Sequence, residues 1–284
     1  MRPKVKLADA TLRDGEQAPG LAFSLATRLE LAQALDRAGI YRLEAGCPAM
    51  GPKEVEAVKA IKDVCANAQV AAWNRIRSQD VLASLRAGVD VVHLCLPVGE
   101  AHLARKIRKP WAELIADLAV CLSLARERGA LVSVGLEDAS RASLDELNRA
   151  ADSLAALEVQ SLRLSDTVGA LTPGQTRRLV GHFVGLGFRV EFHGHNDLGL
   201  AEANSFVAAL AGAEILDATL AGVGERAGNC GLSRLLAFAA ERLDFGLTLK
   251  EAEALEELAR PKLERRLYVQ RLIKAGSPGL EASF

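Results

Sequence analysis

The sequence predicts a (β/α)8 barrel, on three observations. Short β-rich runs and helix-like stretches alternate eight times over about 230 residues. The first run ends in ATLRDGEQ, not in the glycine-rich phosphate loop of a doubly wound open sheet. Acids, histidines and an arginine gather at the C-terminal ends of the runs, where barrel enzymes keep their sites.

The eight strands are read, in order, at VKLADA (5–10), YRLEAG (41–46), QVAAWN (69–74), VVHLCLP (91–97), LVSVGLED (131–138), SLRLSDT (161–167), RVEFHGHN (189–196) and ILDATLAG (215–222). Between them lie helical patterns such as ATRLELAQALDRAG and PWAELIADLAVCLSLARERG. Several of these close on a glycine just past the last turn, as in DRAG, LRAG and RERG. The segment 243–284 reads as a helical extension, interrupted at Pro261 and followed by the tail SPGLEASF. It is too small for a domain of its own, so 1–242 is expected to be the catalytic barrel and 243–284 an appendage.

Composition narrows the function. The chain has 284 residues, half of them hydrophobic, ample for one large core. A net charge of -1 argues against a polyanionic partner such as nucleic acid. No apolar run approaches the roughly 20 residues that a membrane span needs. MRPKVKLADA reads as a first strand, not a targeting segment. Cys47, Cys65, Cys95, Cys121 and Cys230 form no CxxC pair, and Cys65, Cys95 and Cys121 sit in apolar periodic segments. An odd, unpatterned set suits a reducing, cytoplasmic setting.

The strand ends carry the chemistry. They offer Arg13 and Asp14, Glu44, His93, Glu137 and Asp138, Asp166 and Thr167, then His193, His195 and Asp197. After the eighth strand comes GVGERAGN, with Glu225, Arg226 and Asn229. Residues i and i+2 of a strand share a face, so His193 and His195 can bind one ion from one rigid element. Two imidazoles suit a divalent transition metal, and a carboxylate completes a three-ligand set with open positions. Asp14 is the best candidate, because strand 1 lies two strands from strand 7 in a closed barrel. Plainer readings stand beside these. An HxH pair alone can be structural, and His93 fits a core histidine as well as a ligand contact. Asp197 suits a helix start, Asp138 a loop partner, and Glu225 and Arg226 a mutual pair. His102 and His182 read as solvent-facing.

TLRDGEQAPG (11–20), EFHGHNDLGLAEAN (191–204) and GVGERAGN (222–229), with LEAGCPAMG, LEDASRA and SDTVG, resemble the metal-dependent acyl-CoA condensing enzymes of the isopropylmalate, homocitrate and citramalate synthase group. The set is most similar to homocitrate synthases associated with nitrogenase cofactor synthesis. The resemblance covers about residues 6 to 240 and implies a TIM barrel. It implies a divalent metal, Zn²⁺, Mn²⁺ or Mg²⁺, on Asp14, His193 and His195, with Asn229 a further ligand or its supporter. Acetyl-CoA and a 2-oxo acid, 2-oxoglutarate favoured, would be the substrates, and a homodimer the assembly. Arg13 would face the ketone oxygen and Thr167 the carboxylate. Gln17, Glu44 and His93 would surround the substrate, with Glu137 near the reacting centre.

The sequence departs from that group in three places. Arg28 stands where lysine is usual, which keeps the charge. Ser133 stands where lysine-pathway homocitrate synthases place an arginine for the distal carboxylate; the nitrogenase-type relatives tend to lack it as well, which keeps 2-oxoglutarate open, with Arg75, Arg77 or Arg163 as substitutes. Full-length synthases continue into a C-terminal region that reaches the neighbouring barrel with a catalytic histidine, whereas this sequence ends at Phe284. A separate chain would supply that segment, or the base is one of the barrel's own residues. Two rivals therefore stand beside the synthase reading: a carbon–carbon lyase or aldolase of the same superfamily, and a barrel subunit that acts only with a partner. Those lyases carry a cysteine in the glycine loop after strand 8, and GVGERAGN is the synthase version.

Overall fold

The computed structural model describes residues 2–99, 103 and 107–274, with side chains as far as 263. The predicted residue His102 and the tail 275–284 lie outside the described residues. Eight parallel strands close into a barrel in sequential order, β1 to β8. They are β1 (Lys6–Asp9), β2 (Arg42–Gly46), β3 (Gln69–Arg75), β4 (Val91–Pro97), β5 (Leu131–Glu137), β6 (Ser161–Asp166), β7 (Arg189–Gly194) and β8 (Ile215–Ala218). Each overlaps its predicted run. β8 is shorter than expected, because Leu220–Gly222 turns into a 3-10 helix with Ala221 at φ 55°.

The helices are α1 (Leu25–Arg37), α2 (Pro52–Val64), α3 (Ser78–Arg86), α4 (Trp111–Glu127), α5 (Leu144–Ala156), α6 (Pro173–Gly185), α7 (Ala201–Leu210), α8 (Leu232–Ala239) and α9 (Leu249–Lys274). Local chemistry sets their ends. α5 and α6 open on capping boxes, Ser143 with Glu146 and Thr172 with Gln175. Gly39 and Gly88 end α1 and α3 at φ 82° and 72°, a conformation that a β-carbon disfavours. α9 runs through Pro261, where an interruption was expected. Ala252, Leu255, Ala259 and Leu263 are buried along it, so tertiary packing outweighs the hydrogen bond that proline removes. No described helix is long and apolar enough to cross a membrane.

Side-chain alternation divides the barrel. Leu43, Leu162, Leu164, Phe192 and Leu216 belong to one buried apolar cluster shared with Leu31, Leu118, Val180 and other helical residues. The intervening positions are polar. Arg42, Glu44, Arg163, Glu191, His193 and Asp217 are all buried. They form a ladder of alternating charge. Arg42 donates to Glu191 at 2.6 Å, Glu191 lies 3.0 Å from Arg163, and Arg163 donates to Glu44 at 2.7 Å. Arg13 then donates to Glu44 at 2.6 Å and to Asp14 at 2.7 Å. Asp217 branches from Arg163 at 3.2 Å.

Arg163 is the centre of this ladder, and its removal leaves Glu44, Glu191 and Asp217 buried together. Arg163→Met is expected to lower the unfolding free energy by about 3–5 kcal/mol, the range for breaking a buried pair from one side. Urea unfolding measures it, and an unchanged midpoint would remove Arg163 from that role.

Candidate active site

The ladder rises to the C-terminal mouth of the barrel. Asp14 lies in the turn after β1, just before the 3-10 helix Gly15–Gln17. His193 is in β7, and His195, one residue past its end, bridges to Asn229 in the loop after β8. The two imidazoles face the same way, with Nε2 atoms 3.3 Å apart. Asp14 Oδ2 lies 3.8 Å from His193 Nε2 and 3.9 Å from His195 Nε2. One ion can stand about 2.1 Å from three atoms so spaced, the usual length of a Zn–N or Zn–O bond. All three residues are buried, and they are the one such metal-capable His, Cys, Asp or Glu group among the described residues.

The surroundings fit a cation. Burial pushes both histidines down to about 4, against the pull of Asp14, so both rings are neutral near pH 7. Burial would raise the Asp14 carboxyl, but Arg13, the two histidines and Asn229 overcome it and hold it below the usual carboxylate range. The Asp217 carboxylate lies 3.0 Å from His193 Nδ1 and aims Nε2 at Asp14. Asn229 donates its amide to Asp14 Oδ1 at 2.7 Å and to the Val223 carbonyl at 3.0 Å. Its Oδ1 is left buried without a described hydrogen-bond partner, an acceptor suited to a metal. Gly224 makes this packing possible. A β-carbon there would stand 2.1 Å from Asn229 Nδ2 and 3.0 Å from Asp14 Oδ1.

A cavity of about 850 Å³ opens over this group. Of the predicted residues, Arg13, Asp14, Gln17, His93, Glu137, Thr167, His193 and His195 line it. Glu44 and Asn229 are not among its lining residues. Glu44 sits behind Arg13, with both oxygens engaged by Arg13 and Arg163. His93 is buried and also on the cavity wall. Its Nδ1 lies 3.2 Å from Ser133 Oγ, and its ring packs where a Gly135 β-carbon would come within 2.6 Å of Nε2. Burial, then Arg163, pushes His93 well below its ordinary value, so it is neutral. The Cys95 thiol donates to Glu137 at 3.5 Å. Thr167 Oγ1 accepts from the Asp138 amide at 2.8 Å, which leaves the hydroxyl proton for another acceptor.

The lesser candidates sort themselves. Asp138 pairs with Arg141, and Arg226 with both Glu225 and Asp197. His182 is half-buried, edge-on to Phe183, not solvent-facing. Arg28 joins Glu16 to Glu54, behind the turn that carries Asp14. All five cysteines are free, and Cys230 is fully buried with its thiol pushed up by that burial. Sequence reasoning missed Asp217 and the central place of Arg163. The signal for Asp217 was an acid inside the apolar run ILDATL, in phase with Ile215.

The HMGL-like family matches residues 4–260. The homocitrate synthase subunit alpha of Clostridium pasteurianum is 38% identical over 80% of this chain and 84% of its own. The homocitrate synthase of Frankia alni is 42% identical over 79% of this chain, which spans only 64% of that longer relative. A solved Bacillus subtilis HMG-CoA lyase superposes with a TM-score of 0.83 at 18% identity, over 95% of this chain and 99% of that one, and so shares the fold. The chain belongs to the HMGL-like family, in the homocitrate and isopropylmalate synthase group that its motifs resemble.

Proposed function

We propose that this chain is a metal-dependent acyltransferase that condenses acetyl-CoA with a 2-oxo acid, 2-oxoglutarate favoured. One observation carries the reading: Asp14, His193 and His195 converge within bonding distance of a common point, beside Arg13, on the wall of a large cavity. A bound divalent ion, Zn²⁺, Mn²⁺ or Mg²⁺, would act there as a Lewis acid on the ketone and carboxylate of the oxo acid.

The chain's own residues supply the rest. Arg13 is clamped by Glu44 and Asp14, so its guanidinium is fixed before substrate arrives. A fixed cation beside the ketone oxygen stabilises the charge that builds as the carbon–carbon bond forms. The Thr167 hydroxyl would donate to the oxo acid's carboxylate. Glu137, on the same wall, is the proposed base for the acetyl methyl proton, a step that typically contributes about 10²–10⁴-fold. The resulting carbanion attacks the ketone carbon, the alkoxide takes up a proton, and water cleaves the thioester to release CoA. The cavity far exceeds a small oxo acid, leaving space for the thioester arm.

The distal carboxylate of 2-oxoglutarate falls to Arg77. Arg163 is engaged by Glu44, Glu191 and Asp217, and Arg75 by a two-armed contact to Asp80. Arg77 lines the cavity and has no described carboxylate partner. A second reading rests on the Clostridium relative, whose name makes it one subunit of a synthase. On that reading this barrel binds the substrates and a partner chain completes the site. A homodimer and a cytoplasmic setting complete the proposal.

Release of CoA thiol from acetyl-CoA by the purified chain tests the activity, with Mn²⁺, Mg²⁺ or Zn²⁺ and 2-oxoglutarate, 2-oxoisovalerate, pyruvate or glyoxylate. Turnover with 2-oxoglutarate is the expected result. Metal-dependent binding of an oxo acid without thiol release would favour the partner-requiring subunit. Arg77→Ala is expected to raise KM for 2-oxoglutarate about tenfold or more and to leave that for pyruvate unchanged, the mark of a lost charge contact. His193→Ala and Asp14→Ala are expected to lose stoichiometric metal in equilibrium dialysis, as well as turnover. Gly224→Ala is expected to weaken metal binding by about 10–100-fold, as for disturbed outer partners of a metal site. Wild-type metal content in His193→Ala or Asp14→Ala would end the ligand assignment.

A further inference from the structure

The loop after β8 holds an arginine, Arg226, that joins three strand ends. Arg226 Nη2 donates to the Thr167 carbonyl, after β6, at 2.6 Å. The same guanidinium grips Asp197, after β7, with Nε at 2.9 Å from Oδ1 and Nη2 at 3.1 Å from Oδ2. Its third partner, Glu225, is in its own loop at 3.2 Å. The backbone at Arg226 is left-handed, φ 48°, which a non-glycine residue adopts only when its surroundings hold it there.

A second, independent feature closes the same gap. Gly169, after β6 at φ 59°, packs directly on Asp197, where a β-carbon would come within 2.5 Å of Oδ2 and 2.7 Å of the amide nitrogen. Asp197 follows His195 by two residues, and the intervening Asn196 donates its amide to Gly228 O at 2.8 Å, next to Asn229. The contacts thus run from Thr167 through Arg226 and Asp197 to the segments that hold His195 and Asn229.

We propose that Arg226 is a positioning residue, which locks the loops after β6, β7 and β8 into one piece and fixes the Thr167 hydroxyl relative to His195 and Asn229. On the function proposed above, that sets the carboxylate contact of a 2-oxo acid against its ketone end. The ion pair is partly exposed, so its effect on global stability is small. Its effect on the spacing of the loops is large, because a planar fork fixes direction as well as distance.

The test uses Arg226→Met, Asp197→Asn and the double variant of the full chain. Amide hydrogen exchange is read first, without ligand. In Arg226→Met the Asp138 amide, bonded to Thr167 Oγ1, and the Asn196 amide, bonded to Gly228, are expected to exchange about tenfold faster, while β2 and β3 keep their protection. The Kd for 2-oxoglutarate at saturating Mn²⁺ is expected to rise about tenfold, with the double variant no worse than Arg226→Met alone. Unchanged exchange at both amides, uniformly faster exchange throughout the barrel, or additive losses in the double variant would each overturn the proposal. Faster exchange at the two amides in a protein that binds no 2-oxo acid would sustain the loop lock and remove the ligand assignment instead.

Discussion

The alternating ladder of charge inside the barrel is the constraint on which the rest of the structure depends. Arg42, Glu191, Arg163, Glu44, Arg13 and Asp14 follow one another from the bottom of the barrel to its mouth. Burying so many ions carries a desolvation penalty that hydrophobic residues would avoid, so the ladder is weak evidence of stability for its own sake. What it provides is direction. Glu191, Arg163, Glu44 and Arg13 are each engaged by a neighbour on either side, which restricts their rotamers. The top rung, Asp14, is held with Oδ2 toward the two histidines by the same contacts that hold Arg13.

Proton balance is part of that constraint. Three arginines, Arg13, Arg42 and Arg163, meet four carboxyls, Asp14, Glu44, Glu191 and Asp217. Burial, then the Asp217 charge, raises Glu191 to about 7, and burial raises Asp217 as well. Glu44 moves the other way, well below its ordinary value, because Arg13 and Arg163 overcome its burial. One proton on Glu191 or Asp217 would leave the ladder with matched charge. The anion at the top is then Asp14, the position at which a cation would be bound.

How much of this was legible in the sequence differs between backbone and side chains. Strand positions were legible because each β-rich run is bracketed by helical periodicity and turn glycines, both local signals. The pair His193 and His195 was legible because a two-residue period states which side chains share a face. Asp217, Arg163 and the engagement of Glu44 were not, because their partners lie on other strands and only closure of the barrel sets them together. Glu191 carries the phase of His193 in VEFHGH and still reads as an ordinary polar position until Arg42 is seen beneath it. Pro261 misled for a related reason: its local rule is sound, and burial on both sides of it is not written locally.

The same distinction bears on substrate choice. On the proposed function, Arg13 and Asp14 at the reacting end of the oxo acid are fixed by the ladder, whatever acid is bound. On that reading selection falls to the rest of the cavity wall, built by β4 and β5 and by the segments that follow β3 and β4. There Ser133 supports His93, and Gly135 gives that ring its space. His93 is neutral, so it can offer a hydrogen bond but no charge to a distal group. A second carboxylate would need a cation from farther out; of the cavity's three arginines besides Arg13, two are already matched to acids, and its Lys109 is paired with Asp117. On the proposed function, the choice of acceptor then turns on Arg77: a dicarboxylic oxo acid if it closes on the substrate, a monocarboxylic one if it stays in solvent.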